Sequence, residues 1–313
     1  MTIIAPPRLE RPAYRPYRAE VVAVRSLSPH FTRVSFRCDA FEHFGTEGLD
    51  QRIKLFFPLA DGTFSDLGFD DEESIAAGDW YDRWRALPED RRNPFRTYTV
   101  RTADPDDRRV DIDFVAHGDG GPAARWLLGA APGDELVIVG PDSRSPVRGS
   151  GIDWRPGDCT ELLLAGDETA TPAIAAILES RPADCHARVF IEVPSAEDAQ
   201  PLRAPAGVTI TWLARGEAPT GTALLPAVEQ WLAANPEVVA SAAAPRRQRL
   251  ADVDIDREIL WESPEHAPGG FYAWVAGESA AVKAIRRLLV RGHGIDRHRV
   301  AFMGYWRLGR AEN

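Results

Sequence analysis

The hydrophobic pattern of this chain changes character once, at Trp154-Arg155-Pro156-Gly157-Asp158, and that change limits the possible folds more than any other feature. Before it, short β-favouring runs at 17–26, 32–37, 52–57, 95–102, 109–116 and 135–140 alternate with turn clusters such as Ala131-Pro132-Gly133-Asp134. Short strands at this spacing predict an antiparallel barrel or sandwich. One helix, at 122–129, interrupts them, and the acidic stretch 61–93 reads as an excursion with one short helix around 74–87. After the change, apolar runs without alternation at 161–165, 188–193, 208–213, 271–276 and 300–305 take turns with helical segments at 172–180, 223–234 and 279–291. Unbroken apolar strands are buried on both faces, and strand–helix alternation predicts a parallel, doubly wound sheet. Residues 235–270, rich in proline and charge, read as a long connection. The expected organisation is an antiparallel β-barrel over residues 1–155 followed by an α/β domain over 156–313.

Several function classes are disfavoured. The formal net charge of −10 opposes general attraction to nucleic acid or to an anionic membrane. No apolar run reaches the roughly 18 residues of a membrane span, and the first twenty residues lack an apolar signal core, so a cytoplasmic protein is expected. Cys38, Cys159 and Cys185 show no CxxC spacing, so neither zinc nor an iron–sulfur cluster is expected.

Four stretches carry candidate chemistry. In Arg96-Thr97-Tyr98-Thr99, strand alternation turns Arg96 and Tyr98 to one face. A guanidinium fork suits phosphate and a phenol ring suits stacking on a planar heterocycle; a solvated strand face is the alternative. The second stretch runs from Asp111 to Trp126 as strand, glycine-rich turn and helix, with Pro122 at the first helical position. Its Gly121–Ala124 turn offers backbone N–H groups and a partial positive charge to a diphosphate, and His117 adds a donor; a plain connection is the alternative. The third, Gly166-Asp167-Glu168-Thr169, sits where α/β sheets bind ligands but lacks GxGxxG. Its carboxylates would repel a diphosphate, so a nicotinamide nucleotide would carry its phosphates elsewhere. The fourth, Gly304-Tyr305-Trp306-Arg307, brings an aromatic pair that can cover a flavin or pack in the core. Lys283, Arg286 and Arg287 read as a solvated helix face, and Arg215 as a loop charge or a partner for a 2′-phosphate.

Taken in order, IKLFFP (53–58), RTYTVR (96–101), DIDFVAHGDGGPAARW (111–126), PGDELVIVGP (132–141), LLLAGDETATPAI (162–174), AGES (276–279) and GYWRLGR (304–310) resemble the siderophore-interacting protein family. These are flavin-dependent ferric-siderophore reductases of the ferredoxin-reductase-like group. The resemblance implies FAD in the barrel and an NAD(P)H-binding-like second domain. It implies that Arg96, Thr97, Tyr98 and Thr99 hold the flavin ring and phosphate, that Asp113, Phe114 and Val115 line its ribityl and adenosyl side, and that His117, Gly121, Pro122, Ala123 and Ala124 hold the diphosphate. Thr169 and Trp306 would approach from the second domain, and Lys54 and Arg307 would draw an anionic ferric siderophore to the mouth. The few residues after Arg307 favour NAD(P)H as donor, with ferredoxin as the alternative. No metal site of its own, no nucleic acid or membrane partner and a monomeric state are expected. Two other classes stay open: a flavin protein exchanging electrons with a protein partner, and a siderophore-binding protein without reductase activity.

Overall fold

The computed structural model describes residues 11–116, 121–182, 184–265, 267 and 269–309. Seven antiparallel strands form the first sheet: β1 (Tyr14–Ser28), β2 (Phe31–Arg37), β3 (Arg52–Phe56), β4 (Phe95–Thr99), β5 (Thr102–Asp104), β6 (Arg109–Val115) and β7 (Glu135–Pro141). Their order is β4-β3-β7-β1-β2-β6-β5. The two edge strands are consecutive in the chain, separated by Val100 and Arg101. Val100 N–H donates to Gln51 O and Arg101 N–H to Asp111 O, both at 3.0 Å. The chain therefore steps from one edge to the other and rolls the sheet into a barrel. The expected single run 95–102 is thus two strands, because its halves pair with different neighbours. Tyr17, Val34, Phe36, Leu55, Ile112 and Ile138 meet in the barrel interior.

The excursion 61–93 holds two helices instead of the expected one, α1 (Glu72–Ala77) and α2 (Trp80–Ala86). Gly78 ends α1 at φ +67°, where a side chain would be strained. Trp80 and Trp84 then cover Phe56 and Phe95 on the outside of the sheet. A third helix, α3 (Pro122–Gly129), occupies the span expected from sequence and packs Trp126 against Phe36 and Phe114.

The second sheet contains β8 (Glu161–Gly166), β9 (His186–Val193), β10 (Val208–Ala214), β11 (Trp261–Glu262), β12 (Phe271–Glu278) and β13 (Val300–Trp306), in the order β10-β9-β8-β12-β13-β11. All pairs are parallel except β11 with β13. Four helices complete it: α4 (Thr171–Glu179), α5 (Leu224–Ala234), α6 (Pro236–Ala242) and α7 (Ser279–Arg286). Alternate residues of β8 serve opposite faces: Leu162 and Leu164 pack with α4, Leu163 and Ala165 with α5 and α7. The sheet is therefore doubly wound, as the unbroken apolar runs predict. Residues 235–270 are more than a connection, since α6 and the edge strand β11 lie within them. The helix expected over 279–291 is α-helical to Arg286 and then widens into a π turn, Arg287–Gly292.

Barrel and sheet are packed together. Phe31, Leu27 and Val115 of the barrel join the apolar cluster on the α4 face. Arg101 is forked onto Glu179 of α4 at 2.9 and 2.7 Å. Buried Asp198 accepts from Ser28 Oγ at 2.8 Å and His30 N–H at 3.0 Å, and meets His30 Nδ1 at 2.7 Å. Asp50, before β3, accepts from Asp153 N–H, Trp154 N–H and Trp274 Nε1 at 3.2, 3.1 and 3.1 Å. Burial pushes the Asp50 carboxyl up to about 6, against the pull of those hydrogen bonds. Among the described residues no helix is long and apolar enough to cross a membrane, and no cluster of metal-ligating side chains is present.

Candidate functional site

Pairing register decides which side chains share the first half of the site. Ile53 lies opposite Tyr98 and Leu55 opposite Arg96, while Lys54 lies opposite Thr97. Directly opposed residues share a sheet face. Arg96 and Tyr98 therefore lie together, and Thr97 and Lys54 lie on the other face. Tyr98 is half-buried, with its ring 4.6 Å from that of Phe114, which in turn stands 5.6 Å from Trp126 of α3. Phe114 is fully buried behind Tyr98, which leaves its backbone rather than its ring for a ligand. Arg96 is half-buried and donates from Nη1 to Phe95 O at 2.7 Å. Thr97 is exposed and Thr99 buried. Asp113 is held by Arg33 through a two-point fork at 2.6 and 2.8 Å, and Val115 leans into the second domain's core.

Helix α3 packs Ala123 and Trp126 on the same barrel core that Tyr98 joins. Gly121 is its cap in extended conformation, Pro122 opens the helix, and no acidic residue lies in the first turn. A Cβ at Gly121 would meet nothing within 4 Å. Half-buried Pro122, Ala123 and Ala124 follow, and His117 lies outside the described residues. A guanidinium, an aromatic face and a glycine-capped helix start fit a flavin that carries a diphosphate.

The second half lies at the carboxyl ends of β8 and β12, where the strand order reverses and open α/β sheets bind ligands. Asp167 is its hub. Its Oδ1 accepts from Thr169 N–H at 2.9 Å and Thr169 Oγ1 at 2.5 Å, and its Oδ2 from Glu278 N–H at 2.6 Å and Trp306 Nε1 at 2.8 Å. Gly277, at φ +141°, permits this approach, since a Cβ there would come within 2.5 Å of Asp167 Oδ2. Glu278 Oε2 accepts from Ala280 and Ala281 N–H at 2.7 and 3.0 Å and so caps α7. Glu192, at the end of β9, accepts from the N–H groups of Gly221, Ala223 and Leu224 at 2.6, 2.7 and 3.0 Å and fills the start of α5. Buried carboxylates thus line the turn after β8 and fill the starts of α5 and α7, while α4 begins at Ala170 without a side-chain cap, and the acidic turn of Asp167 and Glu168 opposes a diphosphate bound there as in a Rossmann enzyme. Arg215 forks onto buried Glu168 at 2.5 and 2.7 Å, which commits both terminal nitrogens.

The two expected mouth cations are engaged within their own domains. Lys54 Nζ stands 4.7 Å over the Phe95 ring. Arg307 is ion-paired with Asp256 and donates from Nη1 to Ile255 O at 3.1 Å. Tyr305 stacks on Trp261, with centroids 5.7 Å apart, and its hydroxyl has no hydrogen-bond partner among the described residues. Burial raises its pKa well above the ordinary phenol value. Glu192, Asp50 and Asp256 escape a reading by motif. The one signal for Glu192 is a charge inside an otherwise apolar strand run.

Comparison with known proteins adds an independent observation. Residues 20–145 match the siderophore-interacting FAD-binding domain model and residues 159–309 the siderophore-interacting protein model. The chain is 34% identical over 306 residues to the uncharacterized protein Rv2895c of Mycobacterium tuberculosis, covering 96% of this chain and 93% of that one. It is 28% identical over 299 residues to the ferric vibriobactin reductase ViuB of Vibrio cholerae, covering 95% and 91%. The crystal structure of a siderophore utilization protein from T. fusca superposes with a TM-score of 0.66 at 28% identity, covering 96% of both chains.

Proposed function

The chain belongs to the siderophore-interacting protein family, and from that premise we propose that it is an FAD-dependent reductase of ferric siderophores. The observation that carries this reading is that Tyr98, on the same face of β4 as Arg96, and Ala123, in the glycine-capped first turn of α3, pack on one barrel core. When bound, FAD supplies two-electron acceptance and one-electron delivery. In this reading the barrel, residues 1–155, binds it. Arg96 and the Gly121, Pro122, Ala123 and Ala124 turn hold its phosphates together with His117, Tyr98 orients the ring, Thr99, Asp113 and Val115 complete the walls, and Thr97 and Phe114 contribute through their backbone. From the second domain, residues 156–313, Asp167 positions Thr169 and Trp306 toward the same ligand. Lys54 and Arg307 draw the ferric complex to the mouth. Once iron is ferrous, hard oxygen ligands hold it weakly and it leaves.

We propose NAD(P)H as the electron donor, with its phosphates away from the carboxylate-filled helix starts, in a cytoplasmic monomer. Ferredoxin is the second reading, favoured by the closure of those starts to a diphosphate. Anaerobic stopped-flow absorbance tests both: loss of flavin colour on mixing with NADPH or NADH supports the first, and loss only with reduced ferredoxin supports the second. Adding a ferric siderophore and an Fe(II) chelator then tests the reaction. A colourless protein, or a reduced one that yields no chelated Fe(II), would sink the reductase reading.

A further inference from the structure

One irregular stretch of the second domain, residues 250–258, lies across its cations and closes in a turn over 254–258. Val253 and Ile255 pack against the apolar cluster beneath α7, while Asp252, Asp254 and Asp256 between and beyond them are exposed. Its backbone carbonyls are bound by cations in turn. Arg291 donates to Leu250 O at 2.6 Å, Arg286 to Ala251 O at 3.0 Å, Lys283 to Val253 O at 2.5 Å and Arg307 to Ile255 O at 3.1 Å. Asp252 pairs with Lys283 and Arg287 at 3.1 and 2.6 Å, and Asp256 with Arg307. The helix face that reads as solvated from sequence is therefore strapped. Two apolar anchors and four carbonyls fasten the strap and set Asp256 beside Arg307. Arg307 follows Trp306, whose indole is bonded to Asp167 at the strand-order reversal, so the pair lies at the carboxyl edge of the second sheet.

We propose that Asp256 selects the ferric substrate by charge, disfavouring a triply anionic ferric tris(catecholate) relative to an uncharged ferric tris(hydroxamate). This rests on the reading of Arg307 as a mouth residue of a siderophore reductase. Asp256 is a built-in counter-ion: with it in place the rim presents a neutral pair, and an anion must share or replace that carboxylate to reach the guanidinium. The Asp256 side chain is 70% exposed, so the pair is solvated and exchangeable. Repulsion from Asp256 grows with the charge on the complex and vanishes for a neutral one. A net charge of −10 over the chain adds to the same bias.

The test compares flavin-loaded wild type, Asp256→Asn and Asp256→Glu with two redox-inert probes, gallium(III) tris(catecholate) and gallium(III) tris(hydroxamate), by tryptophan fluorescence. Reduction of the matching ferric complexes is followed with an Fe(II) chelator. Asp256→Asn is expected to tighten the tris(catecholate) about tenfold at low salt and to lower its KM in step. The tris(hydroxamate) values and kcat should stay within about twofold, and the gain should shrink as salt screens it. Asp256→Glu should keep the wild-type preference. Equal changes for both probes, or no change for either, would overturn the proposal. If wild type reduces neither ferric complex while the gallium preference shifts as described, the reductase reading fails and charge selection stands. If wild type reduces them but the KM ratio is unmoved in Asp256→Asn, charge selection fails and the reductase reading stands.

Discussion

In the barrel domain, α3 begins at Gly121 with Pro122, Ala123 and Ala124 behind it and no acid in its first turn. At the carboxyl edge of the second sheet, Asp167 caps the turn into α4, Glu192 fills the start of α5 and Glu278 that of α7. A helix start attracts negative charge in either place. The difference lies in who supplies it. In the second domain the chain supplies its own carboxylates, buried and bonded to two or three N–H groups each. In the barrel it supplies a glycine and no carboxylate in the first turn. The same backbone physics thus favours the proposed diphosphate in the barrel and disfavours one at the acidic turns of the second domain, although the second domain has the topology usually associated with dinucleotides.

The sharpest way to break this comparison is to give α3 the device used elsewhere. Gly121→Asp, at an extended backbone position with room for a side chain, should weaken FAD about a hundredfold in equilibrium dialysis. The same change should stabilise the flavin-free chain by a few tenths of a kcal/mol in urea melts, because Asp is a good cap. Unchanged FAD affinity would show that the start of α3 holds no phosphate. The reverse experiment is Glu192→Ala, which strips three N–H groups of their acceptor and should cost about 2–3 kcal/mol in urea. Added phosphate should recover part of that loss in the variant and none in wild type. Gly277→Ala forces Asp167 away from Glu278 and Trp306 and should cost about 1–2 kcal/mol with a shift in tryptophan emission. A wild-type melt and spectrum would show that the close approach is dispensable.

The smallest effect concerns Asp50, a carboxylate that also collects backbone N–H groups but at the junction of the domains. Its folded pKa of about 6 exceeds the ordinary 3.8. Between those pH values the folded chain holds a proton that the unfolded chain has released, so the stability it contributes falls as pH rises from about 4 to about 6 and is level above. The stability difference between wild type and Asp50→Asn should slope by at most about 1.4 kcal/mol per pH unit in that window. A flat difference would show that Asp50 titrates as an ordinary carboxyl.

Strand order along the chain and the two sheet types are legible in the sequence because period-two alternation and unbroken apolar runs are local signals. Phe95 to Thr102 reads as one strand because the step at Val100 depends on Gln51 and Asp111, which no local window contains. The two-residue β11 is too short to leave a pattern. The shared face of Arg96 and Tyr98 follows from alternation within one strand, whereas the opposite placement of Lys54 needs the β3–β4 register. The acids at Asp167 and Glu168 are visible as obstacles to a diphosphate, but their different partners, Thr169 and Trp306 for one and Arg215 for the other, depend on contacts that sequence spacing does not fix.

The pairing of β1 with β7 joins Tyr14 to Pro141, whereas the central pair of the second sheet joins Glu161–Gly166 to Phe271–Glu278. On the ribosome these two closures come at very different times. The barrel has every strand once β7 has emerged, and domains fold as units during synthesis. The second sheet must wait for β12, about a hundred residues after β8 has left the tunnel. Through that interval the apolar face that later receives Phe31 and Val115 is unfinished, and a barrel folded as a unit would be the surface on which the α/β domain is completed.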